Sequence, residues 1–378
     1  MPRVTVGYQD GALHPLWLSA AGTRLATLLG ARAIWLPDHF MGFAPKWMWV
    51  PEVVPAARLV HSMDALFDPM PLLTLAARRH RRAWIGTSVT DPIRRHPMSL
   101  AQSFVTLDHI SKGRAILGIG NGIRENLEPY GLPLDARVGR LEEAIRIIRA
   151  LWQSRGEPVT FEGRYWRLRD AVFDLPLYRD RPPRLFIGAH FPRMLELTGR
   201  TADGWLPGQK VDAAEYRSRL DVIRSAAGAA GRPMEGFVAS HTMLVAFGPS
   251  RAEVRRQALA NDFCAFMATG LPPSAWKECG AEHPMGEDYL GFLDMVPSRA
   301  TGEQVAAAKS RLTPEMLDRL FYMGSAEEVC AEVAPLAAAG CAHFIVANMG
   351  GVFTGRGLAD FWEMGKLFRM LKRLDASR

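Results

Sequence analysis

The sequence predicts an α/β protein, a (β/α)8 TIM-type barrel with insertions after its strands, and three observations carry that expectation. Eight short apolar runs recur along the 378 residues, with amphipathic segments between them. Most of these runs are continuous Val/Ile/Leu stretches rather than alternating ones, as in strands buried on both faces of a parallel sheet. No GxGxxG follows the first run, since Gly7-Tyr8-Gln9-Asp10-Gly11 has the wrong spacing. That disfavours a doubly wound dinucleotide fold, the second-ranked architecture.

The strand candidates are residues 4–8, 33–36, 83–89, 115–119, 185–189, 204–206, 240–247 and 343–348. Helical patterns fall between them at 18–29, 99–109, 140–152, 214–227, 251–267 and 326–339. The clearest is 140–152, where Leu141, Ile145, Ile148, Leu151 and Trp152 form one apolar face opposite charges. The excess over a minimal barrel sits near 40–71, 157–183 and 270–322, where lids and substrate loops attach. With no repeat and no linker, one (β/α)8 domain over 1–378 is expected.

Composition narrows the function. The chain is 48% hydrophobic and 22% charged, which excludes intrinsic disorder. Four cysteines without CxxC spacing are too few for a disulfide scaffold, point to a reducing compartment and suggest no metal centre. No basic-then-apolar leader opens the sequence. The apolar stretch 334–353 is interrupted by Gly340, His343, Asn348 and Gly350-Gly351, so it reads as a helix end and a buried strand rather than a membrane span. A cytoplasmic protein is expected. Forty-six basic residues against 39 acidic ones, net +7, favour an anionic partner. The arginines are dispersed, without a basic stripe interleaved with aromatics, so that partner is a small molecule rather than nucleic acid.

In such a barrel, chemistry sits where strands end at the C-terminal face. The second strand ends in Asp38-His39, which can bind a polar heterocycle and supply a proton; a capping Asp with a structural His is the even alternative. The third ends in Thr87-Ser88-Val89-Thr90-Asp91-Pro92, a polar turn beside a cavity. The fourth ends in Gly118-Ile119-Gly120-Asn121-Gly122, whose alternate glycines let a ring or an anion approach the backbone or simply turn a tight corner. The fifth gives Gly188-Ala189-His190-Phe191-Pro192-Arg193 at a helix start, a plausible phosphate cradle. The loop after the second strand carries Phe40, Met41, Phe43, Trp47, Met48 and Trp49, either an apolar substrate wall or the packing of a lid or dimer interface.

Taken in order, Pro37-Asp38-His39-Phe40, Gly86-Thr87-Ser88-Val89, Arg114 through Gly122, and Gly199 through Trp205 make the sequence resemble the luciferase-like flavin- and deazaflavin-dependent oxidoreductases. Glu128-Pro129-Tyr130-Gly131, Phe173-Asp174-Leu175-Pro176, Pro192-Arg193-Met194-Leu195 and Glu282-His283-Pro284-Met285-Gly286 are similar to the coenzyme F420-dependent ketoreductases typified by phthiodiolone dimycocerosate ketoreductase. The resemblance implies a deazaflavin, coenzyme F420, at the C-terminal mouth, with FMN and an oxygen-using monooxygenase as the alternative. It implies a non-prolyl cis peptide at Ser88–Val89 and Asp38 at the polar edge of the ring or its ribityl chain. Thr87, Ser88, Val89, Gly120, Asn121 and Gly122 would lie about the cofactor, and Gly188, Ala189, His190 and Arg193 would hold its phosphate. His39 would transfer the proton as hydride passes between the deazaflavin C5 and a carbonyl or alcohol. Related sugar-phosphate dehydrogenases carry a Glu where this chain has Ile123, so the acid role would pass to Glu125 or Glu128, or His39 would act alone. That change argues against a sugar phosphate, although Lys210 occupies a place where a phosphate-binding lysine could sit. Trp47 and Trp49 would line an apolar substrate, and a homodimer is common among such relatives. A non-catalytic flavin-binding barrel is the remaining alternative.

Overall fold

The computed structural model describes residues 4–375. Eight parallel strands close into a barrel: β1 (Thr5–Gln9), β2 (Ala33–Leu36), β3 (Trp84–Thr87), β4 (Ala115–Ile119), β5 (Arg184–Ile187), β6 (Gly204–Trp205), β7 (Val238–Phe247) and β8 (His343–Asn348). Neighbours pair in chain order, and β8 returns to β1 with His343 beside Thr5 and Ala347 beside Gln9. Gly204 pairs with Val238, so the sheet has no gap between β6 and β7. That closure excludes the doubly wound alternative. Each expected strand coincides with one of these eight, because a strand buried on both faces has to be apolar throughout: all of β2 and β4 is buried.

The barrel interior is filled, not hollow. Ala33, Trp35, Ile116, Phe186, Leu206 and Ile345 form its plug. The rings of Trp35 and Phe186 meet at 5.8 Å. Glycines on three other strands make the space. A Cβ on Gly7 would lie 2.9 Å from Trp35 Nε1, one on Gly86 2.7 Å from Trp35 Cζ3, and one on Gly204 2.6 Å from the Phe186 ring. A larger apolar shell, including Ile34, Leu36, Phe104, Ile148 and Phe247, joins the outer strand faces to the helices.

Those helices are α1 (Leu16–Leu28), α2 (Pro69–Arg79), α3 (Pro97–Ser111), α4 (Arg137–Gln153), α5 (Pro192–Thr201), α6 (Ala213–Ala229), α7 (Ala326–Ala338) and α8 (Leu358–Leu371). Their starts carry local signals: Asp68 accepts from Met70 N, Asp212 from Glu215 N, and Ser325 with Glu328 forms a capping box. The expected single helix 251–267 is instead two, Arg251–Ala260 and Asp262–Ala268. Asn261 breaks it, its side chain accepting from Phe263 N and Cys264 N to cap the second helix. The 334–353 stretch is the end of α7 followed by β8. No helix among the described residues is long and apolar enough to cross a membrane.

Three segments depart from the minimal pattern. The chain between β2 and α2 carries two short 3₁₀ turns, Lys46–Met48 and Pro55–Arg58. Between α4 and β5 lies an antiparallel hairpin, Val159–Glu162 with Arg167–Ala171. Between β7 and α7 a long insertion folds around Phe263, Phe266, Trp276, Met295, Met316 and Phe321, a second apolar cluster that also takes in Met48, Trp49 and Val54. Tyr322–Gly324, at its end, adds a short parallel strand outside β7. This insertion is anchored across the barrel mouth: Arg124 Nη2 meets Asp294 Oδ1 at 3.1 Å, Arg299 Nη1 meets Glu128 Oε1 at 2.6 Å, and Trp47 Nε1 donates to Ala300 O at 3.0 Å.

Candidate active site

The strand ends assemble a floor at the mouth. After β3, the Ser88–Val89 peptide is cis, as the resemblance implied. The Val89 side chain packs over the barrel plug. A Cβ on Gly120 would lie 2.9 Å from Val89 Cγ2, and one on Gly188 3.4 Å from Val89 Cγ1. Gly120, after β4, is therefore needed to admit Val89, whereas a Cβ on Gly188 would make only an ordinary contact with it. Gly122 has φ +79°, where an L side chain is strained, and its carbonyl accepts from Arg137 Nη1 at 3.0 Å. Asn121, beside it, is half-buried at the rim.

His39 stands above this floor. Its Nδ1 lies 2.7 Å from Asn126 Nδ2 and 3.3 Å from Glu125 Oε1. Both partners come from the short turn after β4 and both are buried. Phe43 meets the imidazole edge-on at 5.1 Å. Glu125 is within ion-pairing reach of His39, yet neither of its oxygens has a hydrogen bond. Burial raises its carboxyl pKa above the ordinary value, against the lowering pull of His39 and Arg94. The structure thus separates the two glutamates: Glu125 is beside His39, whereas Glu128 is tied to Arg124 and Arg299 at the rim.

Several expected contacts fall elsewhere. Asp38 is buried and already engaged within the chain. Its carboxylate accepts from Thr90 Oγ1 at 2.6 Å and from Arg95 Nε at 2.7 Å and Nη2 at 3.1 Å, with Arg94 Nη1 at 3.4 Å. Burial alone would raise its pKa, but the Arg95 hydrogen bonds and the Arg94 and Arg95 charges bring it below the usual carboxylate range. Thr87 is inside the wall, its hydroxyl donating to Gly118 O at 2.7 Å. Ser88 is half-buried at the floor. Lys210 Nζ pairs with Glu332 Oε1 at 2.5 Å, donates to Phe321 O at 2.8 Å and lies over the Tyr322 ring, so it is already engaged. Trp49 is an interior residue, donating to Val60 O; Trp47 is at the rim beneath the insertion. Arg193 is exposed and pairs with Glu142 on α4.

At the fifth strand, Ala189 is buried and its carbonyl accepts from Trp205 Nε1. The His190 imidazole is packed inward, where burial and then Arg219 lower its pKa to about 4, so it is neutral at pH 7. What faces outward there is backbone: α5 begins with Pro192 at its first turn and no side chain caps it.

The sequence reading did not single out Gln9 or Asn126. Gly7 faces the Trp35 and His343 side chains inside the barrel, so Gln9, two residues along, points to the same side at the mouth. Its Oε1 is buried without a partner. A polar residue ending a strand two positions after an inward-facing glycine was the available signal for Gln9; nothing in sequence marked Asn126.

The luciferase-like monooxygenase family model matches residues 17–343. The chain belongs to that family. It is 38% identical over 365 residues to the phthiodiolone/phenolphthiodiolone dimycocerosates ketoreductase of Mycobacterium kansasii, covering 96% of this chain and 99% of that one. It is also 37% identical over 191 residues to the F420-dependent glucose-6-phosphate dehydrogenase of Beutenbergia cavernae, covering 49% of this chain and 51% of that protein. Among solved structures, an F420-dependent secondary alcohol dehydrogenase in complex with an F420-acetone adduct is similar with a TM-score of 0.75, at 20% identity over 98% of this chain and 99% of that one. That likeness is one of fold.

Proposed function

We propose that the chain is a coenzyme F420-dependent oxidoreductase of the ketoreductase type, moving hydride between the deazaflavin C5 and a carbonyl or alcohol carbon. The observation that carries the reading is His39 at the mouth with Glu125 behind it, in a chain 38% identical across 96% of its length to a named ketoreductase. The site's polar inventory suits the cofactor. Gln9 Oε1 is a buried acceptor without a partner, as a ring N–H requires, and at the start of α5 the Arg193 N–H is left for a phosphate, Pro192 having none and Met194 and Leu195 donating to Phe191 O. Val89, Gly120 and Gly188 would support the ring, with Ser88, Asn121 and Gly122 around it. When bound, the cofactor supplies or accepts hydride; the protein's part is to orient the carbonyl and manage its proton.

In reduction, hydride addition places a developing negative charge on the carbonyl oxygen. His39 Nε2, which has no hydrogen-bond partner among the described residues, is the donor for it. Phe43 beside the imidazole and Phe40 and Trp47 at the rim provide an apolar wall. Lys210, paired with Glu332, supports a substrate without phosphate. We therefore favour an apolar ketone or secondary alcohol. A parallel titration with oxidised coenzyme F420 and with FMN tests the cofactor. Tight binding of the deazaflavin with weak FMN binding is expected; the reverse preference would move the chain to an oxygen-using role. A single domain, acting as a homodimer in the cytoplasm, completes the proposal.

A further inference from the structure

His39 Nδ1 has two neighbours of different character: the Asn126 amide nitrogen can only donate to it, whereas the Glu125 carboxyl can accept from it or, when protonated, donate to it. The Asn126 amide has a fixed orientation. Its Oδ1 accepts from Phe40 N at 2.8 Å and faces Met41 N at 3.4 Å, so Nδ2, a donor only, is the atom turned toward His39. A 2.7 Å approach of that donor requires an unprotonated Nδ1, and hence a proton on Nε2. The second neighbour, Glu125 Oε1 at 3.3 Å, can bond Nδ1 as a carboxylate acceptor once Nδ1 is protonated, or pass it a proton as a carboxylic acid.

We propose that Asn126 is a positioning residue that holds resting His39 in its Nε2–H tautomer, and that Glu125 completes a proton relay through Nδ1. The relay rests on the ketone-reducing function above; the tautomer does not. As hydride reaches the carbonyl carbon, the C=O π pair moves to oxygen. The Nε2–H bond breaks and the alcohol O–H forms, while the Glu125 O–H breaks and Nδ1–H forms. The products are the alcohol, neutral His39 protonated on Nδ1, and a Glu125 carboxylate bonded to it. No imidazolate arises, and alcohol oxidation is the same sequence reversed. The raised pKa of Glu125 supports its service as an acid. The charged and titratable groups facing it are His39 itself, Arg94 from the loop after β3, and Tyr289 from the insertion after β7.

The test begins without cofactor or substrate. Two-bond proton–nitrogen correlation spectra of the full-length protein report the His39 tautomer, its signals assigned by their loss in His39→Gln. Wild type should have Nδ1 bare and Nε2 protonated near pH 7. Asn126→Asp keeps the acceptor for Phe40 N but replaces the donor, and should protonate Nδ1. A wild-type Nδ1–H, or an Asn126→Asp protein with Nδ1 still bare, would overturn the tautomer assignment. For the relay, Asn126→Asp and Glu125→Gln should each lower kcat for ketone reduction roughly 10–100-fold with little change in KM. They should also alter the pH profile, Glu125→Gln losing the fall in rate at high pH that marks ionisation of its carboxyl. Unchanged kcat and pH profiles in both variants would overturn the relay. A wild type with the expected tautomer that reduces no ketone would overturn the proposed function and leave the role of Asn126 standing.

Discussion

At the scale of single residues, His39 and Asp38 are adjacent in sequence and opposite in role. His39 has a free nitrogen at the mouth, so His39→Ala should reduce turnover roughly 10²–10⁴-fold while cofactor affinity, measured by titration, holds. Unchanged turnover would remove it from the chemistry. Asp38 bridges the buried Arg94 and the half-buried Arg95, which also pair with Asp91 and Asp68, so Asp38→Ala should cost about 1–3 kcal/mol in chemical denaturation through its lost charge-assisted hydrogen bonds. Its carboxyl is held below the usual range. That stabilisation is therefore complete above about pH 4 and lost as the pH falls through the depressed folded value. The variant should lack this acid-side slope. His39 stood out in the sequence at the end of the second strand, whereas the sequence left Glu125 and Glu128 undivided until the turn after β4 put only Glu125 beside the imidazole. The engagement of Asp38 was not legible, because Arg94-Arg95 looks in sequence like any surface charge pair until the chain after β3 folds back over β2.

Among elements, the eight strands were legible because burial on both faces leaves an unbroken apolar run. The 157–183 hairpin and the Tyr322–Gly324 strand were not. The hairpin buries only some of its side chains and lies on the outside, and a three-residue strand has no period to detect. The insertion after β7 is held to the turn after β4 by partly exposed, solvent-screened ion pairs. Arg124→Ala with Arg299→Ala should therefore raise amide exchange over residues 288–300 without lowering global stability much. Exchange unchanged in the double variant would mean that apolar packing alone fixes the segment. On α8, Asp360 is buried beside Gly350 and its pKa is pushed up to about 6 by desolvation. An acid raised on folding destabilises the native state once ionised. Stability should thus fall as pH rises from about 4 to about 6, and Asp360→Asn should flatten that stretch of the stability profile.

For the whole molecule, closure and filling of the barrel depend on which strands carry glycine opposite Trp35 and Phe186. A Cβ at Gly86 would meet the Trp35 ring at 2.7 Å and Ile116 O at 2.9 Å, and the backbone oxygen cannot rotate away. Gly86→Ala should cost about 1–3 kcal/mol by overpacking, read from the denaturant midpoint. The fold class could be seen from strand count and apolar runs, whereas the pairing of large and small residues across the plug required coordinates, since those positions lie on different strands and meet only when the barrel closes. The filled interior leaves the mouth as the place where the proposed function puts its ligand.

The most direct test of hydride transfer to a carbonyl is an anaerobic single turnover. Protein loaded with reduced coenzyme F420 is mixed with apolar ketones of increasing size, following deazaflavin absorbance and alcohol formed. We expect reoxidation matched one-to-one by alcohol without oxygen, and slowed in His39→Ala. Reoxidation that requires oxygen, or no alcohol from any ketone despite bound cofactor, would contradict it.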